Sequence, residues 1–127
     1  MPQESFGIVE GLIDAWNRRD LSAALERMHP QCEVRPLEGT ETLHGHDGVA
    51  AAFEDWFDAF DKFTIHVEEV SARGDRVLVK MRQRARGKGS GLEIEGRFYQ
   101  LFTLRDGKVF RFEEYSEAAD ALKALGR

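Results

Sequence analysis

The sequence predicts an α+β fold in which helices cover one face of a bent antiparallel sheet, and three observations predict it. Apolar residues recur at three-to-four spacing through the first half of the chain, the period falls to two from Phe63 onward, and four alternating segments then follow one another before a last short helix. At 127 residues the chain has the size of a single domain, expected to run over 1–127 with no internal repeat.

Taken in order, Phe6, Val9, Ile13 and Trp16, with Ile8 and Leu12 beside them, share one face of a first helix, while Glu10, Asp14 and Asn17 take the other. Asp20 is placed to cap a short second helix, LSAALERMH, which Pro30 stops. CEVRPL reads as a brief strand, and Pro36, having no amide donor, puts it at an edge or ends its pairing. LEGTETLHGHDG reads as a loop. Behind it Val49, Phe53, Trp56, Phe57 and Phe60 line one face of a third helix, with Asp47 as its cap. The four strands are FTIHVEEV, RVLVKMRQRAR, GLEIEGRFYQLFTL and KVFRFEEY, and EAADALKAL forms the last helix.

Composition narrows the function. With 18 basic against 23 acidic residues the net charge is −5, which disfavours nucleic acid or an anionic membrane surface as partner. Cys32 is the only cysteine, so an internal disulfide is excluded, a thiolate zinc site lacks ligands, and the cytoplasm is the expected compartment. MPQESF has no basic stretch leading into an apolar one, and no apolar run approaches the roughly 18 residues of a membrane span. In HGHD, His44 and His46 stand two apart without a third convergent ligand, so no metal is expected. The stretch reads as a loop leading to a helix cap, with His44 able to hang over a pocket mouth as a proton carrier. GKGSG is followed by a strand rather than a helix, unlike a phosphate loop, and no serine sits in a nucleophile elbow.

Alternation sorts the strand residues by face. Lys80, Arg82, Arg84 and Arg86 share one face of the second strand, and Val77, Val79, Met81, Gln83 and Ala85 the other. In the next strand Glu93, Glu95, Arg97 and Tyr99 oppose Leu92, Ile94, Phe98, Gln100 and Phe102. A basic row facing an acidic row on the outer surface explains the positive stripe without nucleic acid. Tyr99, Leu101, Val109 and Tyr115 interrupt those rows with an apolar patch suited to a homodimer.

The last hairpin decides which of two adjacent carboxylates, Glu113 or Glu114, enters the core. With Asp106 and Gly107 as a two-residue turn, Phe102 would meet Arg111 and an arginine would be driven inside. A three-residue loop, Arg105 to Gly107 with Gly107 left-handed, instead sets Phe98, Gln100, Phe102 and Leu104 beside Phe110, Phe112 and Glu114. Glu114 then faces inward, and Glu113 faces out with Arg111. A buried glutamate pairs with a cation as a strut, stays protonated, or faces a cavity. Among Phe, Met, Val and Ile, with Gln83 and Gln100 as polar neighbours, a cavity is expected. An apolar pocket that raises a carboxyl pKa suits proton transfer near neutral pH.

AWNRRDLSAAL at the end of the first helix, LHGHDGVAAAF before the third and FTLRDGKVFRFEEY near the end together resemble the nuclear-transport-factor-2-like superfamily, in particular its SnoaL-like branch, over nearly the whole chain. The resemblance implies a cone-shaped curved antiparallel sheet wrapped by the three helices of the N-terminal half, a short C-terminal helix, a deep pocket at the open end, and a homodimer. Members include ketosteroid isomerases, limonene-type epoxide hydrolases, dehydratases and polyketide cyclases. The isomerases' general-base aspartate falls where this chain has Pro36, with Glu38 two residues on, and their oxyanion pair falls near Leu12 and Gln100. Of the hydrolases' aspartate, arginine, aspartate trio, the last position falls at Glu114 and the first two near Met81 and Gln83.

The expected function is therefore a pocket for a small hydrophobic molecule, with cofactor-free acid-base chemistry of isomerase, cyclase or hydrolase type at Glu114, oriented by Gln100 and His44. Trp16, Trp56 and Phe60 on the helices, Met81 and Gln83 on the second strand, and Phe98, Phe102 and Phe112 on the last two are the expected substrate-binding wall. The alternatives are a non-catalytic binding module and a structural dimerisation domain.

Overall fold

The computed structural model describes residues 2–35 and 41–126, with residues 2 and 3 described by backbone alone. Pro36 and Glu38, singled out above, lie outside the described residues. Helix α1 (Pro2–Asn17) buries Val9, Leu12, Ile13 and Ala15, the stripe its apolar spacing dictates. Helix α2 (Leu21–Glu26) is capped by Asp20, whose carboxylate accepts from the Ala23 amide at 3.0 Å. It ends before Pro30, because strand β1 (Met28–Arg35) has already begun at Met28. Pro30 lies inside that strand, at the stretch between Met28 and Glu33 where the pairing slips, as a residue without an amide donor requires.

Part of the segment read as loop is a second strand, β2 (Leu43–His44), paired with Val34 and Glu33 of β1. Helix α3 (Gly45–Ala59) starts directly behind it. Its cap is therefore His44, which makes no side-chain cap bond, and Asp47 sits in the first turn rather than at the cap. Phe60, expected on this helix, is instead the first residue of strand β3 (Phe60–Arg73) and pairs with Gly87. Strands β4 (Arg76–Gly87), β5 (Glu93–Arg105) and β6 (Lys108–Tyr115) and helix α4 (Ala118–Leu125) follow where the alternation places them.

The fold is α+β, a curved sheet wrapped by the N-terminal helices with a short helix at the end. The six strands run in the order β2-β1-β6-β5-β4-β3, and the sheet is mixed: β1 lies parallel to β6, and every other pair is antiparallel. Val77, Val79, Met81, Phe98, Phe102 and Val109 on the inner face join α1 and α3 in the main core. Helix α4 packs on the opposite face, where Ala121 and Ala124 cover Leu78 and Leu101. This removes the apolar patch expected there: Leu101 is only 1 % exposed, Tyr99 and Tyr115 pack against the same cluster, and Val109 lies in the main core.

Strand β3 forms one edge of the sheet and is managed accordingly. Asn17, expected on the solvent side of α1, clamps it: the side-chain amide donates to the Ile65 carbonyl at 3.0 Å and its oxygen accepts from the Ile65 amide at 2.8 Å. On the outer surface, Arg86 forks onto Asp61 through two 2.9 Å bonds, Arg97 donates to Glu68 at 2.9 Å, and Arg84 lies 3.5 Å from Glu95. The basic row is thus answered by carboxylates from β3 as well as from β5. Hydrogen bonds from Arg86 and Arg97 hold the Asp61 and Glu68 carboxyls below their ordinary pKa.

Candidate functional site

The β5–β6 hairpin fixes the site. Asp106 and Gly107 both have positive φ, 55° and 74°, and Arg105 pairs with Lys108, so the turn has two residues and not the three expected. Leu104 accordingly faces Val109. The register then shifts by one residue, and Thr103 faces Arg111, Phe102 faces Phe112 and Gln100 faces Glu114. The extra residue sits in the strand as a bulge, which restores the expected pairing beyond it. Phe110 leaves the inner row at this point and lies beneath the Arg105 guanidinium at 3.7 Å, edge-on to His29.

Both glutamates are at least partly enclosed, on opposite faces. Glu114 lines an interior cavity of about 420 Å³, and Gln100 donates to its Oε2 at 3.3 Å. Glu113, expected to be an ordinary outward residue, is buried: Tyr115 donates its hydroxyl to Glu113 Oε2 at 2.7 Å and Arg35 stands 3.8 Å away. Nothing in the alternation announces that burial, since it follows from packing on the outer face.

The cavity lies between the inner face of the sheet and helices α1 and α3. Trp16, Trp56, Phe63, Phe98 and Phe112 form most of its wall, Gln83, Gln100 and Glu114 supply polar side chains, and Arg97, paired with Glu68 outside, borders it. Toward the core it continues into a narrow apolar extension of about 50 Å³ lined by Leu12, Val49, Phe53 and Phe102. Edge-to-face contacts fix the aromatic wall: Trp16 on Phe53 at 3.9 Å, Trp56 on Phe63 at 5.3 Å and Phe102 on Phe112 at 5.2 Å between ring centres. The indole N–H groups of Trp16 and Trp56 are out of solvent contact and find no acceptor among the described residues. The result is a mostly apolar hollow with polar groups concentrated on adjacent strands, the arrangement that orients a small apolar molecule by one polar end.

Of the residues expected at the site, Glu114, Gln100, Gln83, Trp16, Trp56, Phe98 and Phe112 surround this one cavity, and Phe102 lines its extension. Met81 is wholly buried in the main core, and Phe60 leans on Trp56 at a tilt, ring centres 4.7 Å apart, without lining the hollow. His44 is exposed at the end of β2 and stands apart from the lining, while His46 lies 2.9 Å from the Met28 carbonyl. Among the described residues no three His, Cys, Asp or Glu side chains converge to hold a metal. Cys32 is buried in β1, where burial pushes its thiol pKa up. Phe63, Ile65 and Gly96 also line the cavity and were not singled out from the sequence; carrying the inward row onto β3 would have found the first two.

Residues 9–112 match the SnoaL-like domain family, and the chain belongs to it. The crystal structure of TerC with polyporic acid is similar, with 22% identity and a TM-score of 0.81 over 98% of this chain and 99% of that one. An NTF2-like protein of unknown function from Burkholderia pseudomallei aligns at 21% identity and a TM-score of 0.82 over 98% of each chain. An LEH-like epoxide hydrolase from M. tuberculosis aligns at 17% identity and 0.78 over 99% of this chain and 92% of that one. At these identities the likeness is one of fold, that of the nuclear-transport-factor-2-like superfamily. No curated protein sequence matches the chain.

Proposed function

We propose that the chain binds a small, largely apolar molecule in the cavity and acts on it by cofactor-free proton transfer, with Glu114 as acid or base and Gln100 as the group that orients it. The observation that carries this is the Gln100–Glu114 hydrogen bond at 3.3 Å in the wall of an otherwise aromatic and aliphatic hollow. A volume of about 420 Å³ falls in the range of small-molecule sites, roughly 300 Å³ upward, which supports a ligand over a filled structural core. Because the Gln100 amide donates to Glu114 Oε2, a proton-accepting oxygen is held at a defined point on the strand. A substrate C–H or O–H brought within about 3 Å of that carboxylate would deliver its proton to it.

The related folds of epoxide hydrolase and polyporic-acid complex support a reaction on a small organic molecule without deciding which. Turnover of epoxides, enones and polyketide-like ketones by wild type and Glu114→Gln tests the proposal. A loss of about 100-fold or more in kcat for a turned-over substrate is expected of the variant, and equal rates would remove Glu114 from any mechanism. A binding module without chemistry is the second reading. It is favoured by the Gln83 amide, which lines the same cavity and can hold a polar end of a ligand by hydrogen bonding without any proton transfer. Ligand binding retained with no turnover by wild type would select it. The proposal also takes the chain as a homodimer; sedimentation at micromolar concentration reads this directly, and a monomer mass refutes it.

A further inference from the structure

A glycine in the middle of a strand sacrifices packing and backbone order, so a reason for it must be found either in the fold or in what approaches the strand. Gly96 of β5 has no reason in the fold. It is not among the glycines with positive φ, it pairs regularly with Gln83 of β4, and a Cβ built on it meets no atom within 4 Å. It stands in the inward row between Ile94 and Phe98 and lines the cavity with Gln83 and Trp56. Exposure along that row falls from 46% at Ile94 to 9% at Phe98, 6% at Gln100 and 0% at Phe102, so Gly96 sits near the open end.

We propose that Gly96 is a specificity-determining residue: its bare main chain widens the entrance, so that a multi-ring apolar molecule lies flat on β5 with its polar end at Gln100 and Glu114. The four residue-to-residue steps from Gly96 to Gln100 span about 13 Å of strand, the length of about three rings rather than one. The inference rests on the cavity being a ligand site, as proposed above, and adds the size of what fills it.

Trp16 and Trp56 are the only tryptophans of the chain and both line the cavity, so intrinsic fluorescence reports filling. Wild type, Gly96→Ala and Gly96→Leu are titrated with three-ring N-phenyl-1-naphthylamine and one-ring 4-ethylphenol. Gly96→Leu is expected to weaken the three-ring probe about tenfold or more and 4-ethylphenol by less than about twofold, with Gly96→Ala between. Both variants are expected to melt no lower than wild type. Equal effects on the two probes, unchanged binding of the larger one, or a marked fall in the melting temperature of Gly96→Ala overturns the assignment; if Gly96→Leu does not fold, the probe criteria are applied to Gly96→Ala. A wild type that fills with neither probe overturns the pocket reading and this inference together, whereas a wild type that binds both beside a size-blind Gly96→Leu overturns the inference alone.

Discussion

At the scale of single residues, Tyr115 and Glu113 show how a carboxylate is kept on the side of the sheet away from the cavity. The Tyr115 hydroxyl donates to Glu113 at 2.7 Å, and the glutamate is 9% exposed. Tyr115→Phe deletes the donor while leaving the acceptor enclosed, so it is expected to cost about 1–3 kcal/mol in urea unfolding. A shift within error would mean that water or Arg35 already satisfies the acid. The inward direction of Glu114 was legible from the sequence because an arginine in the core is so unfavourable that the other parity had to hold. The burial of Glu113 was not, because alternation says which face a side chain takes and not what later covers that face.

At the scale of elements, the clamp of Asn17 on Ile65 ties the end of α1 to the edge strand. Both backbone groups of Ile65 on the open side of β3 are satisfied by one amide. Asn17→Ala is expected to cost about 1–2 kcal/mol and to speed hydrogen exchange at the Ile65 amide; unchanged protection there would show that the edge is held by other contacts. The helices and four long strands could be read from periodicity, since each buries one face of its own. The parallel β1–β6 pair could not: it joins residues about 80 apart, as with Glu33 and Arg111, and no local pattern encodes that choice. The two-residue turn at Asp106-Gly107 is compatible with an inward Glu114 only through a bulge, and a bulge leaves no mark in an unbroken apolar alternation. The α3–β3 boundary at Phe60 is illegible for a related reason, because an aromatic residue at the junction fits the helical face of α3 and the start of β3 alike.

At the scale of the whole molecule, two layers of packing lie on opposite faces of one sheet, with exposed ion pairs at its β3 side. The Asp61 and Glu68 carboxyls have folded pKa values below their unfolded ones, so in acid the unfolded chain takes up these protons first. Their contribution is present above the ordinary carboxylate pKa, about 4, and is lost as pH falls through the lowered folded values. Glu68→Gln is therefore expected to show a shallower fall in melting temperature between about pH 5 and pH 2 than wild type, with the difference shrinking in high salt. Parallel curves for the two proteins would show that the Arg97 contact contributes nothing to acid stability. The cavity itself is a property of this scale, since its lining comes from α1, α3 and strands on both sides of β5. Its composition could be anticipated from the inward rows, whereas its volume depends on how far the sheet bends.

The bulge beside Phe110 has a consequence for how this hairpin tolerates insertion and deletion. A chain shortened by that one residue would run straight through the same cross-strand partners, with Gln100 still opposite Glu114. A chain that kept the residue but ironed out the kink would slide by a single step and bring Glu113 opposite Gln100 instead. That second frame would also set Arg111 against Phe102 inside the core, so the kink, rather than the choice between two glutamates, is what keeps a cation out of the hollow.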